Sequence, residues 1–259
     1  MNLFMCEWLK TRRTPLRWTV FLSPLIFSAL ILWYFSLRKT TLPVQIAIFE
    51  AFFEVWPALV IPAGAGLVSG LMVHQEGLAG NFGRLLGAGR PRRDLYLGKL
   101  AMLVFLVFTS TLLAVLALAA GIWFLFRETI AWPVFLGAAF MMMIGTLPLL
   151  AFHLWISFAR GMGASIGIGG GGLLMASLMA TSLGQTIWPF VPWAWPVRFA
   201  GLAGACGFDW PGGEFPPQGA GFVAEQAAKG LVSAAIFFLV MLTGGLHWFG
   251  RWEGRKMPE

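Results

Sequence analysis

Long apolar runs separated by short charged stretches set the pattern of this chain. Residues 18–37 carry no charge, and neither do 100–126, 132–158 or 162–183. Two further runs, about 50–73 and 225–249, carry charge only near their starts, at Glu50 and Glu54 and at Glu225 and Lys229. A helix needs about 20 apolar residues to cross the hydrocarbon core, and each run meets that length. The pattern predicts six membrane-spanning helices joined by short connections. Prolines at 57, 62 and 148 fall inside the predicted second and fourth spans. Each removes a backbone donor and predicts a kink. Glu225 and Lys229, four apart, are placed to pair.

Composition supports the membrane class. The 259 residues are 58% hydrophobic and 11% charged, against about 25% charged in a soluble domain. The net charge of +7 lies in loops between apolar runs and not on one face, so it reads as a topology signal and not as a nucleic-acid surface. Thirteen of the 18 Lys and Arg fall on the side of the N-terminus, the loop 74–99, Arg160 and the C-terminus. The other side holds five: Arg38, Lys39, Arg127, Arg198 and Lys229. Positive charge stays inside, so both ends are expected in the cytoplasm and the first run is expected to be an uncleaved span. The loop 74–99 is the densest basic cluster, with Arg84, Arg90, Arg92, Arg93 and Lys99.

At the N-terminal end, Leu3, Phe4, Trp8 and Leu9 share a helical face, with Glu7, Lys10 and Arg12 largely elsewhere. That pattern predicts a short helix lying in the membrane interface. Residues 184–224 read as an outer loop, partly buried and re-entrant at its start, because the Trp- and Pro-rich run 188–196 favours the interface and opposes a continuous helix. Cys6 and Cys206 fall on opposite sides, so no disulfide is expected, and no Cys/His spacing suggests a metal.

Several motifs take their ordinary reading. GIGGGG at 167–172 matches GxGxxG, but lacks the preceding strand and following acid of a dinucleotide site. Gly163, Gly167 and Gly171 read instead as a packing face, as do Gly66 and Gly70. No GxxxxGK[ST] occurs, so the chain holds no phosphate loop of its own. GASIG at 163–167 matches GxSxG without the strand–turn–helix context. A rhomboid-type membrane protease, with Ser165 and His247 as its pair, is a remote alternative. Glu50 and Glu54 share a face at the outer end of the second span; intramembrane carboxylates are functional candidates, and headgroup solvation is the plainer account. His153 reads as an interfacial or hydrogen-bonded histidine and not as a proton relay.

The basic loop resembles the coupling region of type-2 ABC transporter permeases, through Glu76, Gly80, Leu85, Leu86, Pro91, Arg92 or Arg93, Tyr96 and Lys99. The opening Glu7-Trp8-Leu9-Lys10-Thr11-Arg12 is similar to the amphipathic elbow helix of these permeases, and Trp188-Pro189-Phe190-Val191-Pro192-Trp193 resembles a stretch in their lantibiotic-immunity branch. The glycine-rich 87–89 and the outer segment 209–222 depart from the pattern. The resemblance implies an all-α integral membrane protein with six transmembrane helices, both termini cytoplasmic, an elbow helix (Glu7, Trp8, Lys10, Arg12) and a cytoplasmic coupling helix over 78–86. In that helix Phe82, Leu85 and Leu86 would enter an ATPase groove beside Leu78, while Glu76, Arg84 and Arg92 orient it. No cofactor is expected on this chain; ATP and Mg would sit on a partner ATPase, in two copies. A second permease subunit, as homodimer or heterodimer, completes the expected assembly in a bacterial cytoplasmic membrane. The expected cargo is an amphipathic peptide or other hydrophobic compound, with Glu50, Glu54, Trp188, Trp193 and Trp195 as candidate contacts. A non-transporting membrane scaffold is the other alternative.

Overall fold

A computed structural model describes residues 3–12, 14–39, 42–80, 82–87, 89–208 and 219–254, which form helices and turns with no strand among them. In order these are α1 (Leu3–Lys10), α2 (Pro15–Ser36), α3 (Val44–Val55), α4 (Ile61–Leu78), α5 (Gly83–Leu86), α6 (Arg92–Gly121), α7 (Trp132–Arg160), α8 (Met162–Ala180), α9 (Trp195–Gly207) and α10 (Gly219–Arg251). Six helical stretches are long and apolar enough to cross a membrane: Pro15–Ser36, Val44–Leu78, Arg92–Phe126, Trp132–Arg160, Met162–Ala180 and Ala224–Arg251.

The spans differ from the charge-bounded runs where a proline sets the start. Pro43 and Pro91 sit just before α3 and α6, where a fixed φ and a missing N–H cost nothing. The second span therefore begins at Val44 and takes in residues that read as a connection. The third begins at Arg92, so its basic residues are helical and the loop between the two shrinks to residues 79–91. Pro57 lies in a single π-turn, Trp56–Val60, that joins α3 to α4; a widened turn absorbs the lost hydrogen bond. Pro148 is accommodated within a continuous α7.

The core is built around α7, which packs against α4, α6, α8, α9 and α10; α4 also packs along α8, and α2 along α6. The α4–α8 seam is close. A Cβ on Gly66 would stand 2.5 Å from the Ser165 carbonyl oxygen, and one on Gly169 would stand 2.7 Å from that of Pro62. Gly66 and Gly70 thus do form a packing face. On α8 the packing face is Ser165, Gly169, Gly172 and Ala176, all buried. Gly163, Gly167 and Gly171 have open space where a side chain would be. The correction has a physical cause: the Ser165 hydroxyl donates to the Gly66 carbonyl at 3.0 Å and fixes which face of α8 turns inward.

The Trp- and Pro-rich segment is not an open loop. Short 3₁₀ turns at Trp188–Phe190 and Pro192–Ala194 lead into α9, where Pro196 occupies the first turn. At 13 residues α9 is too short to span. It lies against α7, where Gly145 lets the backbone of Trp195 approach within 2.7 Å of a Cβ position. The unmatched segment 209–218 lies outside the described residues.

Candidate coupling site

Four charged side chains meet where α1 crosses the start of α6 and the end of α4. Lys99 Nζ lies 2.8 Å from Glu7 Oε2 and 2.6 Å from Glu76 Oε1. Lys10 Nζ lies 2.8 Å from Glu7 Oε1 and 2.7 Å from Glu76 Oε1. The Lys99 side chain is 1% exposed, Glu7 5% and Glu76 7%, while Lys10 is 45% exposed. Two lysines and two carboxylates cancel, which is what permits charges this deep; a single one would have to be neutralised. Burial disfavours the charge on Lys10, but its hydrogen bonds to Glu7 and Glu76 outweigh that and hold its pKa above the ordinary lysine value.

Helix α1 is capped by the chain that follows it. Arg17 donates to the Trp8 carbonyl at 2.9 Å and to Thr11 Oγ1 at 3.0 Å, and its guanidinium lies 4.0 Å above the Trp8 ring. These bonds satisfy carbonyl and hydroxyl groups that the helix end leaves open. Trp8 also meets Phe105 of α6 edge-on at 5.7 Å. Arg12 is exposed.

A second anchor lies in the loop itself. Phe82 adopts a left-handed backbone (φ 66°) ahead of the four-residue α5. A non-glycine residue there costs about 1–2 kcal/mol, so packing must hold it. Its ring is 4% exposed and meets Trp252 at 4.9 Å and Phe158 at 6.4 Å. Tyr96, Phe158 and Phe249 complete the cluster, with Phe158 and Phe249 4.8 Å apart. Arg92 donates to the carbonyls of Gly250, at 3.3 Å, and of Trp252, closing the end of α10.

This geometry corrects part of the sequence reading. Phe82 and Leu85, expected to enter a partner's groove, are buried within the chain (4% and 3% exposed), Phe82 because the aromatic cluster already takes it in. Glu76 and Arg92 are occupied by Lys99, Lys10 and the end of α10. Leu78 belongs to the end of α4, not to a separate coupling helix, and is 71% exposed. Gly83 is exposed. Of the residues expected to meet a partner, Leu78 and Arg84 stay exposed and Leu86 is half-buried. Lys99 entered the reading as a motif residue and a basic charge; only the crossing of α1 reveals it as the network's centre.

At the other end, Glu50 and Glu54 are exposed. Trp188 and Trp195 are 4% and 1% exposed, and Trp195 Nε1 donates to the Pro189 carbonyl at 2.9 Å. Neither is open to a substrate or to lipid, because α9 folds this segment back onto the bundle. Trp193 is half-buried. Arg198, which had no expected role, donates to the carbonyls of Met179 (2.6 Å) and Thr181 (2.7 Å) and so caps α8.

Ser165 is not paired with His247. Its hydroxyl proton goes to the Gly66 carbonyl and His153 Nδ1 lies 3.1 Å away, all buried, whereas His247 is exposed on α10. Of the two readings of His153, the structure shows the hydrogen-bonded one: the side chain is fully buried. Among the described residues, no cluster of His, Cys, Asp or Glu is arranged to hold a metal. Between α2, the π-turn, α4 and α6 lies an apolar recess of about 340 Å³, lined by Trp56, Val60, Val68 and Val107 with the hydroxyl residues Thr19, Ser23 and Ser110 among them.

No curated protein and no solved structure matches the chain significantly. A family model described as ABC-2 family transporter protein matches residues 3–169, which covers the elbow, the first four spans, the loop between α4 and α6 and half of α8. The chain therefore belongs to the ABC-2 family of transporter proteins, as a multi-pass membrane permease that works with an ABC ATPase.

Proposed function

We propose that this permease belongs to an exporter that draws an amphipathic peptide of the lantibiotic type, or a similar hydrophobic compound, out of a bacterial cytoplasmic membrane. Two such subunits, identical or paired with a similar chain, bind two copies of the ATPase, with both termini on the ATPase side. The supporting observation is mechanical. The end of α4 is fastened at Glu76 to α1 and α6, and the segment after it is fastened at Phe82 to α7 and to Trp252 just beyond α10. A push on their exposed face at Leu78, Arg84 and Leu86 therefore reaches four helices at once. The apolar recess beside the π-turn, with three hydroxyl side chains among apolar walls, suits an apolar cargo carrying few polar groups. Glu50, Glu54 and Trp193 are the outer contacts left open to it.

The test is affinity purification of the tagged chain in mild detergent, followed by ATP hydrolysis. The expected result is a co-purifying ATPase that Leu78→Asp with Leu86→Asp releases while the permease stays folded. Retention of the ATPase by that double variant would remove the assigned docking face. Transport that continues when the partner's ATP site is inactivated would overturn the exporter itself.

A further inference from the structure

A cleft of about 750 Å³ separates α1 from the segment that follows α4. Its inner surface is the charge network, through Glu7, Lys10 and Glu76, and Leu78, Leu85 and Leu95 supply an apolar wall. Arg84 and Arg90 also line it, both exposed, and neither forms an ion pair among the described residues. The carboxylates of Glu7 and Glu76 are already matched by Lys10 and Lys99. The two guanidiniums are therefore surplus positive charge beside an apolar wall.

The cleft lies at a defined level. The elbow exposes Phe4 (38%), Met5 (52%) and Leu9 (45%), and α2 opens with Trp18 at 66%. An amphipathic helix with such a face rests at the boundary of acyl chains and headgroups, and tryptophan marks the same boundary. A cleft behind that helix opens where lipid phosphates are concentrated, and arginine forks match phosphate oxygens.

We propose that this cleft binds the headgroup of an anionic phospholipid, with its phosphate held by Arg84 and Arg90 and its glycerol end along Leu78 and Leu95. The bound lipid fills the gap between the elbow and the coupling segment. Leu78 and Arg84 also belong to the face assigned above to the ATPase, so the lipid occupies the cleft of the free permease; the site does not depend on the identity of the exported compound.

Cys6 lines the cleft and serves as its reporter. The full-length C206S variant, reconstituted without the ATPase, is placed in nanodiscs of phosphatidylcholine alone or mixed with phosphatidylglycerol. The rate of reaction of Cys6 with uncharged N-ethylmaleimide is then measured. Phosphatidylglycerol is expected to slow it roughly tenfold, and R84Q with R90Q is expected to restore the fast rate. Both arginines are exposed, so their loss leaves the fold intact, as the unfolding midpoint verifies. Cys206 in a C6S background controls for a general effect of the disc. Equal rates in the two discs, slowing that survives R84Q/R90Q, or equal slowing by soluble glycerol phosphate in phosphatidylcholine discs would each overturn the proposal. Slowing seen only when the ATPase is added would assign the cleft to that protein instead.

Discussion

Lys99 is the residue on which the candidate site turns. It is fully buried and holds two carboxylates that belong to different helices. Lys99→Met leaves Glu7 and Glu76 with only the half-exposed Lys10, and breaking a buried pair from one side costs about 3–5 kcal/mol. The expected outcome is a lower unfolding midpoint in detergent, partly recovered by adding Glu7→Gln and Glu76→Gln. An unchanged midpoint for Lys99→Met would mean that the network contributes nothing. Lys10 gives a pH dependence with a definite sign. Its folded pKa is raised, so its stabilising contribution is complete below the ordinary lysine range and is lost as pH rises through the folded value. The stability difference between wild type and Lys10→Met should be constant near neutral pH and vanish in strong alkali; a difference that grows with pH would contradict the pairing.

Among helices, the α4–α8 seam makes the clearest discrimination. Two glycines two positions apart in α8 should respond oppositely. Gly169→Val places a side chain against the Pro62 carbonyl and must separate the helices, whereas Gly167→Val points into open space. The former should lower the yield of folded protein and cost several kcal/mol by overpacking and lost contact; the latter should leave the isolated chain unchanged. Thermal aggregation of the two variants, measured side by side, decides it. Equal behaviour would mean that α8 presents a different face to α4. The same logic explains α9. Its prolines argue against a long helix, but at a helix start they are harmless, and packing against α7 supplies the stability that local preference lacks.

For the molecule as a whole, Phe82 offers a separation of two activities. Its ring lies between the coupling segment and the ends of α7 and α10, away from the exposed docking face. Phe82→Ala should keep ATPase binding and hydrolysis but lower transport by about tenfold or more, because the push no longer reaches those helices. Binding lost together with transport would place Phe82 in the docking face after all. This prediction rests on the exporter reading, and the co-purified ATPase of the wild type is its positive control.

Much of this architecture is written in the order of residues. Six apolar runs of sufficient length predict six spans because hydrocarbon admits backbone only as helices that satisfy their own hydrogen bonds. Local chemistry also marks the elbow, the basic loop and the lack of a phosphate loop, since each depends on neighbours in sequence. The partners in space were not legible. Nothing near Lys99 in sequence says that Glu7, 92 residues earlier, will share its proton donors. Nor does the amphipathic look of 82–86 distinguish an exposed anchor from a buried one, since Phe82 is enclosed by Phe158 of α7 and by Trp252 just beyond α10. Spacing is likewise silent on which small-residue face of α8 meets α4, since 163/167 and 165/169 are both pairs of small residues four apart; the Ser165 hydrogen bond to Gly66 selects one. Hydrophobicity and breakers act locally and determine how many helices form and where they begin. Side-chain contacts between distant segments decide which charges are buried, which aromatics are internal and which surface is left for a partner.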